Sequence, residues 1–233
     1  MENKIIKNYL IVESQNDKFF LDALIAHLNL SIEVSNATIC KIDDYECMNG
    51  SDVRKIAEAL RFLKNEYEKP FDNTKKIYID ANVGIVIDWD GKPIAERLGL
   101  INDAIKIIFN TAEELTAINQ FITVEEGFKI ACYFNGIDEQ GELETVLKAI
   151  KTQNSKHADC LDTWRKCLGK KNPISQKDFD KFWVAQYIRY DTCAKKERNQ
   201  VVKNCTFEPA MKKPIWDFDH AHLSDLRAFL RLF

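Results

Sequence analysis

The segment 84–91, Gly-Ile-Val-Ile-Asp-Trp-Asp-Gly, constrains the fold more than any other part of the chain. Its apolar run ends abruptly in two carboxylates, Asp88 and Asp90. An unbroken apolar run is typical of a parallel strand buried on both faces, and open α/β folds bind ligands where such strands end. Alternation along a strand predicts that both carboxylates point to one side, within reach of one cation. The alternative is an Asp-rich turn that caps the next helix.

The same strand-then-acid pattern occurs at two other places. The apolar run 9–12 ends in Glu13 and is followed by a helix that Asn16 or Asp17 can cap, while the run 128–134 leads through a loop to a helix that starts near Glu142. Further predicted elements are a strand at 34–42 and helices at 53–67, 94–109, 158–168 and 179–196, with a C-terminal amphipathic helix. Strands alternating with helices predict an α/β fold with a mostly parallel sheet.

Parallel strands deliver their carboxyl ends to one edge of a sheet, so these acids are expected to lie close together. A cluster of carboxylates without His or Cys suits Mg²⁺ or Mn²⁺ rather than zinc. His220 and His222 lack a patterned third ligand and are interpreted as loop or cap residues.

Three motifs carry a resemblance to a known family. IVESQNDKFFLDAL resembles the first motif of Toprim domains, the catalytic module of topoisomerases, DnaG-type primases and OLD-family nucleases, and IVIDWD resembles their Asp-x-Asp motif. GELETVL is similar to the acidic helix start of OLD-type and small stand-alone Toprim-like proteins. The resemblance covers roughly residues 5–152 and implies a Toprim-like, Rossmann-like fold. One departure is Ser14, which stands where the family usually has Gly and is expected to reshape the turn after the first strand.

The resemblance also implies roles for single residues. Glu13 would be a metal-site or general acid/base residue, and Asp88 and Asp90 would be Mg²⁺ ligands. Glu142 and Glu144 would complete an OLD-like acidic cluster. Asp17 is a second-rank candidate for the same metal site.

Charge is distributed unevenly along the chain. Residues 1–152 carry 17 Lys and Arg against 26 Asp and Glu, whereas residues 153–204 carry 12 against 6. We therefore predict a Toprim-like α/β domain at 1–152 and a basic, mainly helical extension at 153–233. Lys195 and Lys196 are candidate catalytic lysines that would assist at a phosphate, and the alternative is an ordinary solvated helix end.

These features predict a Mg²⁺- or Mn²⁺-dependent nuclease, or a related phosphoryl-transfer enzyme, acting on DNA in preference to RNA in defence or DNA repair. The alternatives are a Toprim-like binding or regulatory module without catalysis and a phosphatase for a small phosphorylated molecule. A protein partner and a homo-oligomer are left open. No signal peptide or membrane segment is expected, and seven Cys without CxxC pairs indicate free, mostly buried thiols in a reducing cytoplasm.

Overall fold

The fold is built on a five-stranded sheet, in a computed structural model that describes residues 4–40, 52–67, 78–168 and 173–233. The strands are β1 Lys4–Val12, β2 Glu33–Val34, β3 Tyr78–Asp88, β4 Ile122–Glu125 and β5 Phe128–Asn135. Their spatial order is β2-β1-β3-β5-β4, and β4 is antiparallel to β5 whereas the other neighbours are parallel. The predicted α/β class, a mostly parallel Rossmann-like sheet flanked by helices, is confirmed.

Helices connect and follow the strands. The α-helices of the described residues are α1 Gln15–His27, α2 Val53–Tyr67, α3 Ile94–Ile108, α4 Leu143–Ile150, α5 Lys156–Leu168, α6 Gln176–Gln186, α7 Lys195–Arg198, α8 Val201–Asn204, α9 Phe207–Met211 and α10 Ser224–Leu230. A π-helical turn spans Tyr187–Asp191, and a 3-10 turn spans Ala221–Leu223. In this part of the chain, no helix combines the length and the apolar character needed to cross a membrane.

The chain divides into two compact units. The first comprises Met1–Asn135 and Asp225–Phe233, and the second comprises Gly136–Ser224. The sequence-based boundary was placed after residue 152, whereas the units divide before α4. The reason is that α4 packs with the helices that follow it, as the 2.5 Å ion pair between Lys148 and Asp180 illustrates.

The core of the first unit forms on one face of the sheet. Val83, Ile85 and Ile87 of β3 point to this face because side chains alternate along a strand. The apolar stripes of α2 and α3 cover them, and α2 begins where the Asp52 side chain accepts a hydrogen bond from the Lys55 N–H at 3.0 Å. The apolar faces of both helices therefore point into this core, although Ile94 at the start of α3 is exposed.

The end of the chain packs against the other face of β3 and β5. Phe229 of α10 stacks on Tyr133 with ring centroids 5.5 Å apart, and the Asn8 side chain donates to the Phe233 carbonyl at 2.6 Å. A Cβ added at Gly84 would lie 2.5 Å from the Leu10 side chain and 2.8 Å from the Phe233 ring. Glycine in the central strand thus makes room for the C-terminal aromatic residues. The apolar face of the predicted C-terminal helix packs on the sheet at this position.

The second unit is helical and has an aromatic core of its own. Tyr187 stacks on Trp183 with ring centroids 5.4 Å apart and contacts Trp216 at 5.3 Å. Its hydroxyl accepts a hydrogen bond from the Gln153 N–H and donates one to the Ile215 carbonyl. The indole N–H of Trp183 donates to Asp159 at 3.1 Å. Buried aromatic residues with satisfied polar atoms make this unit a packed core.

Two predicted elements differ from the structure. The helix predicted at 179–196 is interrupted after the π-helical turn, where Asp191 turns inward to accept hydrogen bonds from the backbone N–H groups of His157 and Ala158. The strand predicted at 34–42 is only two residues long, and its last two residues lie outside the described part of the chain. Ile39 is buried there and its N–H donates to the Val12 carbonyl of β1 at 2.9 Å, but the segment bends between Val34 and Ile39 and forms no continuous strand.

The prediction of free, mostly buried cysteines is wrong in two respects. Cys193 and Cys205 form a disulfide with an S–S distance of 2.08 Å. Among the free cysteines, Cys132 is buried, but Cys160 and Cys167 are exposed on α5. Single-sequence reasoning from spacing did not find the Cys193–Cys205 pair because the chain folds back between short helices.

Gly84→Ala is expected to destabilise the protein by about 1–3 kcal/mol, because the added methyl group overpacks the contact with Leu10 and Phe233. Urea denaturation followed by circular dichroism measures the change. The matched control is Gly99→Ala in α3, where an added Cβ meets nothing within 4 Å and improved helix propensity should stabilise by about 0.5–1 kcal/mol. Equal stability of the Gly84 variant and the wild type would contradict this packing.

Candidate metal centre

Glu13 and Asp88 lie side by side at the carboxyl ends of adjacent strands. The register pairs Val12 of β1 with Val86 of β3, so Glu13 follows β1 next to the end of β3. Both carboxylates are buried, and Glu13 Oε2 accepts a hydrogen bond from the Asp88 N–H at 3.2 Å. Parallel pairing of two apolar strands thus places two acids at one edge of the sheet, where the sequence predicted them.

Asp90 approaches Asp88 through a turn. Asp88 is the last residue of β3, and Asp90 and Gly91 have φ angles of +50° and +63°. Carboxylate oxygens of Asp88 and Asp90 lie within 4.8 Å of each other. The predicted turn at Gly91 is observed, but it is the turn, and not strand alternation, that brings the two carboxylates together. Trp89 between them is buried in the core against Phe134.

Arg97 contributes a buried positive charge to this edge. Its Nη2 donates to Asp90 Oδ2 at 2.6 Å and to the Asp88 carbonyl. Its Nε is buried and has no hydrogen-bond partner among the described residues. Since a buried charge without a partner is costly, the pair with Asp90 fixes both side chains at the end of β3.

Asp17 is held by the first turn of α1. Its carboxylate accepts hydrogen bonds from the Ser14 N–H at 2.9 Å and from the Ser14 hydroxyl at 2.6 Å, and the Asn135 side chain donates to it at 3.3 Å. The pKa of Asp17 is raised to about 6. Burial is the largest cause and the negative charge of Glu13 acts in the same direction, while the hydrogen bonds from Ser14 and Asn135 lower the pKa.

Ser14 fits its position without strain. As the N-cap of α1 it has φ −132° and ψ 171°, an extended conformation that any residue adopts. A glycine is therefore not needed for backbone conformation here. The serine closes a capping box with Asp17, so the expected reshaping of the turn takes the form of a well-capped helix start.

Glu142 and Glu144 belong to the second unit. Glu142 is the N-cap of α4, as predicted for a carboxylate at a helix start, and Glu144 lies in the first turn. Both are buried. Lys177 Nζ lies 2.7 Å from Glu142 Oε1. Their membership of the metal cluster stays a prediction.

Lys195 and Lys196 also belong to the second unit. Both are exposed in the short helix α7, and neither makes an ion pair in the described part of the chain. Within the described residues these two cations therefore have no acidic partner, and a catalytic role for them stays a prediction. The His220 side chain accepts a hydrogen bond from the His222 N–H, consistent with the interpretation of this pair as cap residues.

Sequence reasoning missed two residues of this edge. Arg97 lies one turn before Ile101 on the buried face of α3, and a charged residue within an apolar helix stripe was the available signal. Asn135 ends β5 in register with Asp88, and its carbonyl accepts a hydrogen bond from the Trp89 N–H at 2.9 Å. The strand prediction had stopped one residue short of it.

The raised pKa of Asp17 predicts that the free energy of unfolding depends on pH. Because the folded-state pKa of about 6 exceeds the ordinary value of 3.8, the folded protein holds this proton more tightly than the unfolded chain. This contribution favours folding below about pH 4 and is lost as the pH rises through 6. We expect the unfolding free energy of the metal-free wild type, measured relative to Asp17→Asn, to fall between pH 4 and 7. A difference that stays constant over this range would contradict the assignment, and Asp103→Asn, an exposed acid on α3, is the control.

The comparisons with known proteins identify a family but no activity. A model of the family described as "Protein of unknown function (DUF3226)" matches residues 7–233. Neither the curated proteins nor the solved structures contain a significant match to the chain. Because the match runs over nearly the whole chain, the protein belongs to the DUF3226 family.

Proposed function

We propose that this protein is a Toprim-like nuclease, or a related phosphoryl-transfer enzyme, that uses Mg²⁺ or Mn²⁺ and acts on nucleic acid. One observation carries the proposal: Asp88 and Asp90 present carboxylate oxygens within 4.8 Å of each other at the end of a central parallel strand. The buried Glu13 is hydrogen-bonded to the same strand end. Hard oxygen ligands without His or Cys are the donor set that Mg²⁺ and Mn²⁺ prefer.

Asp88 and Asp90 are the residues that would hold the ion. A divalent cation bound there would stabilise the negative charge that develops on a phosphoryl group. Glu13 is placed as a third ligand or as the general base that takes a proton from water. Arg97 keeps Asp90 at the strand end through its 2.6 Å ion pair and adds positive charge near the position of a phosphate.

Glu142 is proposed as a further ligand because the Toprim resemblance implies that role for it. It follows Asn135 by seven residues, and Asn135 is paired in register with Asp88. We also propose Glu144 and, as a second-rank candidate, Asp17 as members of the metal site, as the Toprim resemblance implies. Because of their positive charge, Lys195 and Lys196 are proposed to assist at the phosphate.

A second candidate function is a Toprim-like binding or regulatory module that has lost catalysis. The Arg97 guanidinium favours it, because an internal cation paired with Asp90 can take the place of a metal. The ion pair of Lys177 with Glu142 points the same way. Metal binding distinguishes the two functions, since only the enzyme needs a divalent ion that binds these carboxylates tightly enough to compete with Arg97 and Lys177.

For the setting, we propose DNA rather than RNA as the substrate and the cytoplasm as the compartment, with a role in defence or DNA repair. This follows the OLD resemblance of the acidic motifs and the basic charge of residues 153–204. A protein partner and self-association fit the same setting. The Cys193–Cys205 disulfide is the observation against this compartment, because disulfides are rare in a reducing cytoplasm.

Titration calorimetry with Mg²⁺ and Mn²⁺ tests the proposal, with plasmid and oligonucleotide cleavage assayed on the same preparations. Asp88→Asn with Asp90→Asn is expected to weaken metal binding by about 100-fold or more, since loss of even an outer-shell partner costs 10–100-fold. Cleavage should be lost together with metal binding. Glu13→Gln should abolish cleavage, whether it acts as a ligand or as a base.

The matched control is Asp103→Asn with Asp162→Asn, which removes two exposed carboxylates from α3 and α5. It should bind metal and cleave as the wild type does, and this also guards against a contaminating nuclease. Wild-type protein that binds neither ion at millimolar concentration would overturn the catalytic proposal and favour the binding module. Metal binding without cleavage of any nucleic acid would favour the phosphatase alternative.

A further inference from the structure

We propose that a basic surface of the second unit binds the phosphodiester backbone of a single-stranded nucleic acid. The surface, here called the 189–203 surface, consists of Arg189, Tyr190, Lys195, Lys196, Arg198 and Lys203. The inference rests on the proposed function only in its choice of nucleic acid as the polyanion. The site itself is defined by charges, one aromatic ring and a disulfide within the second unit.

The cations of this surface have no ion-pair partner among the residues that the structure describes. Arg189, Lys195, Lys196 and Lys203 are exposed, and none of them makes an ion pair in the portion of the chain described. Some lysines elsewhere in this unit are paired with acids, as in the pairs Lys148–Asp180 and Lys212–Glu208. Four unpaired positive charges within fifteen residues of sequence are suited to a ligand that carries regularly spaced negative charge.

The two acids in the same stretch are occupied by other partners. The Asp191 carboxylate is buried and accepts hydrogen bonds from the backbone N–H groups of His157 and Ala158. Glu197 accepts from the Ala194 N–H at 2.7 Å and from Lys213 at 2.8 Å. The pKa of Glu197 is lowered by the bond from Lys213, so this acid stays ionised and paired. Neither carboxylate is therefore available to cancel the charge of the surface.

Tyr190 provides the second, independent feature. Its ring is 39% exposed, and the guanidinium groups of Arg189 and Arg198 lie 5.5 Å and 5.7 Å from its centroid. Packing against an aromatic ring leaves the N–H donors of a guanidinium free for phosphate oxygens. Exposed aromatic rings and guanidinium planes are the groups on which unpaired bases stack. This is why we infer a single strand rather than a duplex.

The disulfide holds the surface in place. Cys193 and Cys205 join the two ends of the segment that carries Lys195, Lys196, Arg198 and Lys203. Arg198 Nη1 also donates to the Cys193 carbonyl at 2.8 Å. The cross-link limits how far these like charges can spread apart, so the cations are kept together before the ligand arrives.

Fluorescence anisotropy with a fluorescein-labelled oligothymidylate in EDTA tests the inference without any contribution from metal or cleavage. Lys195→Ala with Lys196→Ala is expected to reduce the slope of log affinity against log salt by about 1.4, because each phosphate contact on a single strand contributes about 0.7. This corresponds to about 25-fold weaker binding at about 0.1 M salt. Tyr190→Ala should weaken binding as well, while Tyr190→Phe, which keeps the ring, should not.

The matched control is Lys106→Ala with Lys212→Ala, which removes two exposed lysines that are paired with Glu114 and Glu208. It should bind as the wild type does. If the control binds as weakly as the Lys195 and Lys196 variant, the loss of affinity reflects net charge alone and the inference is overturned. The inference is also overturned if the Lys195 and Lys196 variant binds as tightly as the wild type. Tighter binding of a duplex than of the single strand would contradict the role of Tyr190. If the protein binds oligothymidylate but calorimetry detects no bound metal, this inference stands while the catalytic proposal fails.

Discussion

The parallel pairing of β1, β3 and β5 is the constraint on which the rest of the first unit depends. The register sets Val12 beside Val86 and Asp88 beside Asn135, so the three strands end together. The last apolar run of each strand, 10–12 in β1, 85–87 in β3 and 130–134 in β5, is buried, and a polar residue follows each run directly: Glu13, Asp88 and Asn135. Burial on both faces therefore fixes where the polar groups lie, because slipping any strand by one residue would turn apolar side chains to the wrong face.

The edge that results is a balance of charges in a buried environment. Glu13 accepts the Asp88 N–H, Arg97 pairs with Asp90, and Asp17 keeps a raised pKa despite hydrogen bonds from Ser14. Carboxylates gathered in this way are costly unless a positive charge offsets them. Arg97 supplies one such charge, and a divalent cation would supply more. The proposed function and its inactive alternative thus differ in which cation neutralises the same cluster.

Much of this could be read from the sequence because the signals were local. The run at 84–87 with its two aspartates predicted the end of a buried strand, and Glu142 was placed correctly at a helix start. What could not be read depended on tertiary contacts. Arg97 is positioned by the packing of α3, Asn135 by register with β3, and the Cys193–Cys205 pair by a chain reversal that no spacing rule reveals. The helix predicted at 179–196 failed for the same reason, since an inward-turning Asp191 ends it.

The most direct test of the central claim is to locate a bound ion by paramagnetic broadening of amide resonances with substoichiometric Mn²⁺. If Asp88 and Asp90 hold the ion, the resonances of Glu13, Asp88 and Asp90 should broaden first, and Mg²⁺ in excess should restore them. The exposed Lys129 in the interior of β5 is an internal reference that should broaden later. Broadening that is centred elsewhere, or uniform over the chain, would contradict a metal centre at the end of β3.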